Sequence, residues 1–200
     1  MTSPHAVSLQ GPAMLFSIVL LALASGCARP AASSNAASPG ASEQPGTLTG
    51  GDIPDNAVFL TYKNATHGFS IQYVEGWQVS QQADGVAIRD KDSVETVQVL
   101  AAPSDLAAYI RQTDLPALRS QAGFKLVKQD TVSVGSSQYT HLSYQLPSPP
   151  DPVTGKRVAS TVDRYYILHG ASLAIVSLST PDGVDNVDAF RQMIGSFKWA

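Results

Sequence analysis

The 200-residue chain has little cysteine, little charge and no long apolar run. Its single cysteine cannot close an internal disulfide, nor can it furnish a Cys-rich zinc site or an iron–sulfur cluster. Charged residues make up 14%, with 13 Lys and Arg against 16 Asp and Glu for a net charge of −3. That balance argues against a nucleic-acid binder, which needs a basic stripe to displace counterions. There is no Gly-x-x-x-x-Gly-Lys phosphate loop, dinucleotide fingerprint, His-Glu-x-x-His or Gly-x-Ser-x-Gly. No cofactor or metal is expected from motifs. The longest apolar run, residues 13–24, is interrupted only by Ser17. As a helix it would cover roughly 18 Å, short of the ~30 Å hydrocarbon core, which argues against a permanent transmembrane span. What is present is 44% hydrophobic residues, enough for one domain with a proper core plus tails.

That apolar run, followed by small residues, reads as the core of a secretory signal. Leu23-Ala24-Ser25-Gly26-Cys27 resembles the lipobox of bacterial lipoproteins, in which small residues precede a cysteine that is diacylated and becomes N-terminal. Ala24 stands where that family usually has Leu. The resemblance implies cleavage after Gly26 and a lipid, such as palmitate, on Cys27. The other reading is a plain secretory signal cleaved nearby, leaving a free thiol. Two or three acyl chains, at about 0.8 kcal/mol per buried methylene, give stable anchoring. Residues 28–56 follow, and 22 of these 29 are Ala, Pro, Ser, Gly, Thr or Asn. With only Leu48 and Ile53 large and apolar, the stretch is expected to be a flexible tether. The organisation expected is a signal peptide over 1–26, a lipidated cysteine and linker over 27–56, and a domain over 57–200.

The domain is close to neutral, with 12 Lys and Arg against 13 Asp and Glu. Alternating apolar and polar residues predict strands at 58–62, 69–73, 77–79, around Val86 and Ile88, and around Val97 and Val99. A helix follows Ser104, and Asp114 is expected to cap a second one ending near Gly123. Strands return at 124–134, 138–146, 157–169 and 172–180, with hairpin turns at Ser136-Ser137 and Gly170-Ala171. Asp185 is the expected cap of a last helix carrying Val187, Phe190 and Ile194 on one face. Phe197 and Trp199 close the chain as a short strand. Mostly antiparallel strands with two segregated helical segments predict an α+β layered fold.

Gly68-Phe69-Ser70-Ile71-Gln72-Tyr73, then Gly76-Trp77, is similar to the opening of PsbP-like domains, with Val74 where Pro is common. Tyr165-Tyr166, the turn at Gly170, Leu173 to Leu178, and the ending Phe190, Ile194 and Ser196-Phe197 also resemble that family. The resemblance, which spans most of 57–200, implies an α/β/α sandwich around a central, mostly antiparallel sheet. Envelope lipoproteins of the LpqN and DcrB kind share that fold, and such relatives act mostly as binding or accessory modules. Fold alone does not carry function across.

His67, His141 and His169 are the domain's histidines, and no two have helical ligand spacing. His141 and His169 fall in predicted strands and could converge with Asp163 on a metal or acid/base centre. Trp77, Tyr166 and Arg164 are the candidates for a ligand or partner surface. Tyr165 and Tyr166 must face opposite sides of a sheet, one toward core and one partly exposed. The Pro-rich loop 147–156 is a candidate partner contact or a plain connector. The function expected is a non-catalytic binding or accessory module, lipid-anchored on the extracytoplasmic face of a bacterial membrane. Its partner would be an envelope protein or a small apolar ligand, and not nucleic acid. The alternative is an envelope hydrolase using His141, His169 and Asp163.

Overall fold

Leu173-Ala174-Ile175-Val176 is apolar at every position, the composition of a strand buried on both faces. In the computed structural model, which describes residues 51–147, 155 and 157–200, this segment lies in β9 (Ser172–Pro181), inside the larger of two sheets. On one side β9 pairs with β5 (Ser93–Ala101), followed by β4 (Gly85–Asp90) and β3 (Gln78–Gln82). On the other it pairs with β8 (Ala159–His169), then β7 (Ser137–Pro147) and β6 (Lys125–Val134). All these pairings are antiparallel. β1 (Phe59–Asn64), β2 (Phe69–Val74) and β10 (Lys198–Trp199) form a separate three-stranded sheet.

Strand alternation sorts the core into two clusters. Ala174, Val176 and Leu178 of β9 face Phe69 and Ile71 of β2 and Phe190, Met193 and Ile194 of α3 (Val187–Ser196). Leu173 and Ile175 face the opposite way, with Leu142, Tyr144 and Tyr166, under a helical run containing Ile110, Leu115 and Leu118. The central sheet thus carries helices on both sides, and the fold is α+β as the sequence predicts.

Local chemistry moves several boundaries. The two short helices expected after Ser104 are one continuous run: α1 (Leu106–Tyr109), a π turn over Ile110–Asp114, and α2 (Leu115–Arg119). Asp105, not Ser104, caps it, accepting from the Ala108 N–H at 3.0 Å. Asp114 caps nothing, because its carboxylate is taken by Arg164 and Tyr166 from the sheet. Asn186 holds the cap position of α3, but its side-chain oxygen accepts from the Ile53 N–H at 2.8 Å; Asp185, the expected cap one residue earlier, accepts from the Val187 N–H at 3.4 Å. Asp52 and Ile53, in the stretch read as linker, therefore pack on the domain. The β6–β7 turn is Gly135-Ser136, one residue earlier than expected. Gly135 adopts φ +59°, which glycine takes without the Cβ clash. Gly26, Cys27, the signal segment, most of the expected linker and residues 148–154 and 156 of the Pro-rich loop lie outside the described residues. No helix among the described residues is long and apolar enough to cross a membrane.

Candidate functional site

β6, β7 and β8 run side by side, and their register sets Asp130 opposite His141 and His141 opposite Tyr165. Asp163, two residues before Tyr165, shares its face. The His141 ring lies between two carboxylates: Nδ1 is 2.9 Å from Asp130 Oδ1, and Nε2 is 2.9 Å from Asp163 Oδ1. A carboxylate only accepts, and a neutral imidazole has one N–H, so satisfying both contacts requires the doubly protonated ring. Burial of His141 disfavours that charge, but the bonds to Asp163 and Asp130 outweigh it and raise its pKa above the ordinary value. Lys128 Nζ at 2.6 Å, and then His141, hold Asp130 below the usual carboxylate range. The Tyr165 ring lies 4.8 Å from the imidazole. Burial first, then Asp163 and Asp130, push its hydroxyl up to about 12.

Beside this cluster a groove of about 440 Å³ runs between α3 and the sheet. Tyr165, Phe190, Ile194, Val132 and Val134 make it largely apolar, while Asp163, Asp182 and Arg191 supply charge. Arg191 Nη1 is held by Asp188 at 2.5 Å, and Asp182 accepts from the Thr161 hydroxyl at 3.1 Å. An apolar wall with a few placed polar groups is the chemistry of a ligand site. A second hollow, about 540 Å³, lies where Asp52–Asp55 meet α3, and four aspartates line it.

The structure brings together only two of the three residues of the candidate metal or acid/base centre. His141 and Asp163 meet, but His169 sits six residues farther along β8, roughly 20 Å away, stacked on Trp199 at 5.6 Å. The His141–His169–Asp163 centre is thus not assembled. Among the described residues no cluster of three or more His, Cys, Asp or Glu is arranged to hold a metal ion. The surface role of Tyr166, Arg164 and Trp77 is also corrected. Tyr166 is 2% exposed and Trp77 8%, both in the core. Arg164 is half-buried and turned onto Asp114, with Nη2–Oδ1 at 2.8 Å and Nε–Oδ2 at 3.0 Å. Tyr165, not Tyr166, is the partly exposed member of that pair and lines the groove.

Asp130 is not marked by the sequence pattern, and Asp114 is marked only as a helix cap, not as the partner of Arg164. The signal for Asp130 lay in the hairpin turn: centring it on Gly135-Ser136 places Asp130 opposite His141, whereas a turn one residue later places Val132 there. The Asp114 pairing carried no local signal, since Arg164 is 50 residues away in sequence.

No family model and no curated protein matches the chain. Among solved structures it is similar to cyanobacterial PsbP (CyanoP) from Synechocystis sp. PCC 6803, at 16% identity over 75% of this chain and 98% of that one, with a TM-score of 0.49. It is similar to LpqN, involved in cell envelope biogenesis of Mycobacterium tuberculosis, at 12% identity over 72% of this chain and 91% of that one, TM-score 0.41. A Bacteroides thetaiotaomicron protein is matched at 14% identity over 70% of this chain, TM-score 0.47; the chain spans about half of that protein, 48%.

Proposed function

We propose that this chain is a bacterial envelope lipoprotein whose domain is a non-catalytic binding module, with the groove beside α3 as its binding site. On this reading residues 1–26 direct export, cleavage after Gly26 exposes Cys27 for lipidation, and the Pro/Ala/Ser/Gly stretch tethers the domain to the membrane face. The observation that carries the anchoring is the placement of the chain's one cysteine directly behind Leu-Ala-Ser-Gly and an apolar run. Binding, not catalysis, is supported by the cluster next to the groove: both nitrogens of His141 are turned to carboxylates of the sheet, Asp130 and Asp163, so neither is free to act on a group in the groove.

The test is the intact mass of the full-length protein extracted from bacterial membranes. A chain beginning at Cys27 with a diacylglyceryl-type addition supports the reading, and Cys27→Ser should then release the protein from the membrane. An unlipidated chain beginning elsewhere overturns the anchoring.

A further inference from the structure

The groove has two chemically different ends. At the start of α3, Asp182 is bonded to Thr161, and Thr161 lies two residues from Asp163 on the same face of β8, about 7 Å along the strand. At the far end of α3, Val134 of the edge strand lies beside Gly195, and Phe190 and Ile194 form the floor. From Val187 to Ile194 the helix spans roughly 10 Å. One end thus presents carboxylates and the other an apolar channel.

From β8 come Asp163 and Tyr165, from the β9–α3 connection Asp182, and from α3 Arg191. The Arg191 charge is already met by Asp188. From β7 comes His141, and behind it on β6 are Asp130 and Lys128, bonded to each other. Two carboxylates and one satisfied guanidinium leave the groove complementary to a cation and hostile to a second anion. Of the two carboxylates, Asp163 accepts from the His141 ring through Oδ1, whereas Asp182 accepts from the neutral Thr161 hydroxyl.

We propose that the groove beside α3 binds an amphiphile with an ammonium head and an apolar tail, and that the His141 imidazolium competes with the head for Asp163. The tail lies along Phe190, Ile194 and Val134, while the head sits between Asp163 and Asp182. Protonated His141 holds Asp163, and neutral His141 has one N–H to share between Asp130 and Asp163. Raising the pH through the His141 transition therefore releases Asp163 to the ligand. This inference rests on the reading of the groove as the binding site and adds what enters it and what controls entry.

The experiment is calorimetric titration of the full chain carrying Cys27→Ser, so that no attached acyl chain competes. Decylammonium, decanol and decanoate share one tail and differ in head, and all are used below their micellar concentrations. Decylammonium should bind about tenfold more tightly than decanol at pH 8, the worth of one charge-assisted hydrogen bond, and three- to tenfold more weakly at pH 5 than at pH 8. Asp182→Asn, at an exposed loop position, should lower decylammonium affinity and leave decanol unchanged. His141→Gln should remove the pH dependence while keeping the head-group preference. Decanol or decanoate binding as tightly as decylammonium, or a pH dependence that survives His141→Gln, overturns the proposal while leaving the groove as a binding site. Failure of all three probes to bind overturns the groove reading itself.

Discussion

Arg164 of β8 grips Asp114 at the end of the π turn through two parallel N–H···O bonds, 2.8 and 3.0 Å long, joining the sheet to the helical run that covers it. Arg164 also donates to the Ser177 hydroxyl at 2.9 Å, and the Tyr166 hydroxyl donates to the same carboxylate. Burial disfavours the Arg164 charge, yet the Asp114 contact reverses this and raises its pKa. Removing one partner strands the other. Asp114→Ala should cost about 3–5 kcal/mol in urea unfolding, and the double replacement Arg164→Met with Asp114→Leu should recover much of that loss. Equal losses in the single and double variants would show that the ion pair is not the fastening.

Glu95 presents the opposite situation. It is completely buried on β5, opposite Leu178 and Ile88, and neither carboxylate oxygen has a hydrogen-bond partner. Burial alone raises its pKa well above the ordinary 4.5. Stability should therefore be greatest with respect to this group below about pH 4.5, its unfolded value, and fall as pH rises through the folded value. Glu95→Gln should flatten that decline. Glu95→Met should stabilise the protein at pH 8 by about 1–3 kcal/mol, because no polar group is then left unsatisfied. Denaturant midpoints from pH 4 to 8 read both.

His141 contributes a second component of the same sign. Its folded pKa is raised, so its stabilisation is complete below about pH 6.5 and lost as pH rises through the folded value. His141→Gln should remove this component, on the order of 1 kcal/mol for a pair whose Asp163 partner is partly exposed. The component should remain in Glu95→Gln, so the two variants separate the sources. A stability profile identical in wild type and His141→Gln would contradict the doubly protonated ring.

Two glycines should respond in opposite ways. A Cβ on Gly85 would stand 1.8 Å from the Val97 carbonyl oxygen, so Gly85→Ala must separate β4 from β5 and should cost at least about 2 kcal/mol. A Cβ on Gly195 meets only the Val134 methyl at 4.0 Å, inside a helix, so Gly195→Ala should stabilise by about 0.5–1 kcal/mol. Thermal unfolding of the two variants checks both signs.

Patterning along the chain was enough for the sheets: the alternation in 69–73 and the unbroken apolar run in 173–176 mark a strand with one buried face and a strand with two. It also placed Tyr165 and Tyr166 on opposite faces, but alternation does not say which face is covered, and the helical run covers Tyr166. Helix caps were less legible, because Asp114 and Asn186 each have a side chain claimed by a distant partner, Arg164 and Ile53. The candidate site depended on register. His141 and Asp163 were visible as residues, but their meeting with Asp130 depends on turns that fix which residues stand opposite, and a turn misplaced by one residue hides it.

The most direct test of a membrane-tethered binding module is native mass spectrometry of the full-length protein released gently from its own membranes, wild type beside Val134→Lys. Val134 lies on an edge strand, half-buried against the core, and it lines the apolar end of the groove; the thermal unfolding midpoint of the variant is measured alongside. The expected result is a lipid on Cys27 in both, and a stoichiometric organic ligand that the wild type carries and the variant has lost. A ligand retained equally by both would place binding elsewhere on the domain and contradict the groove.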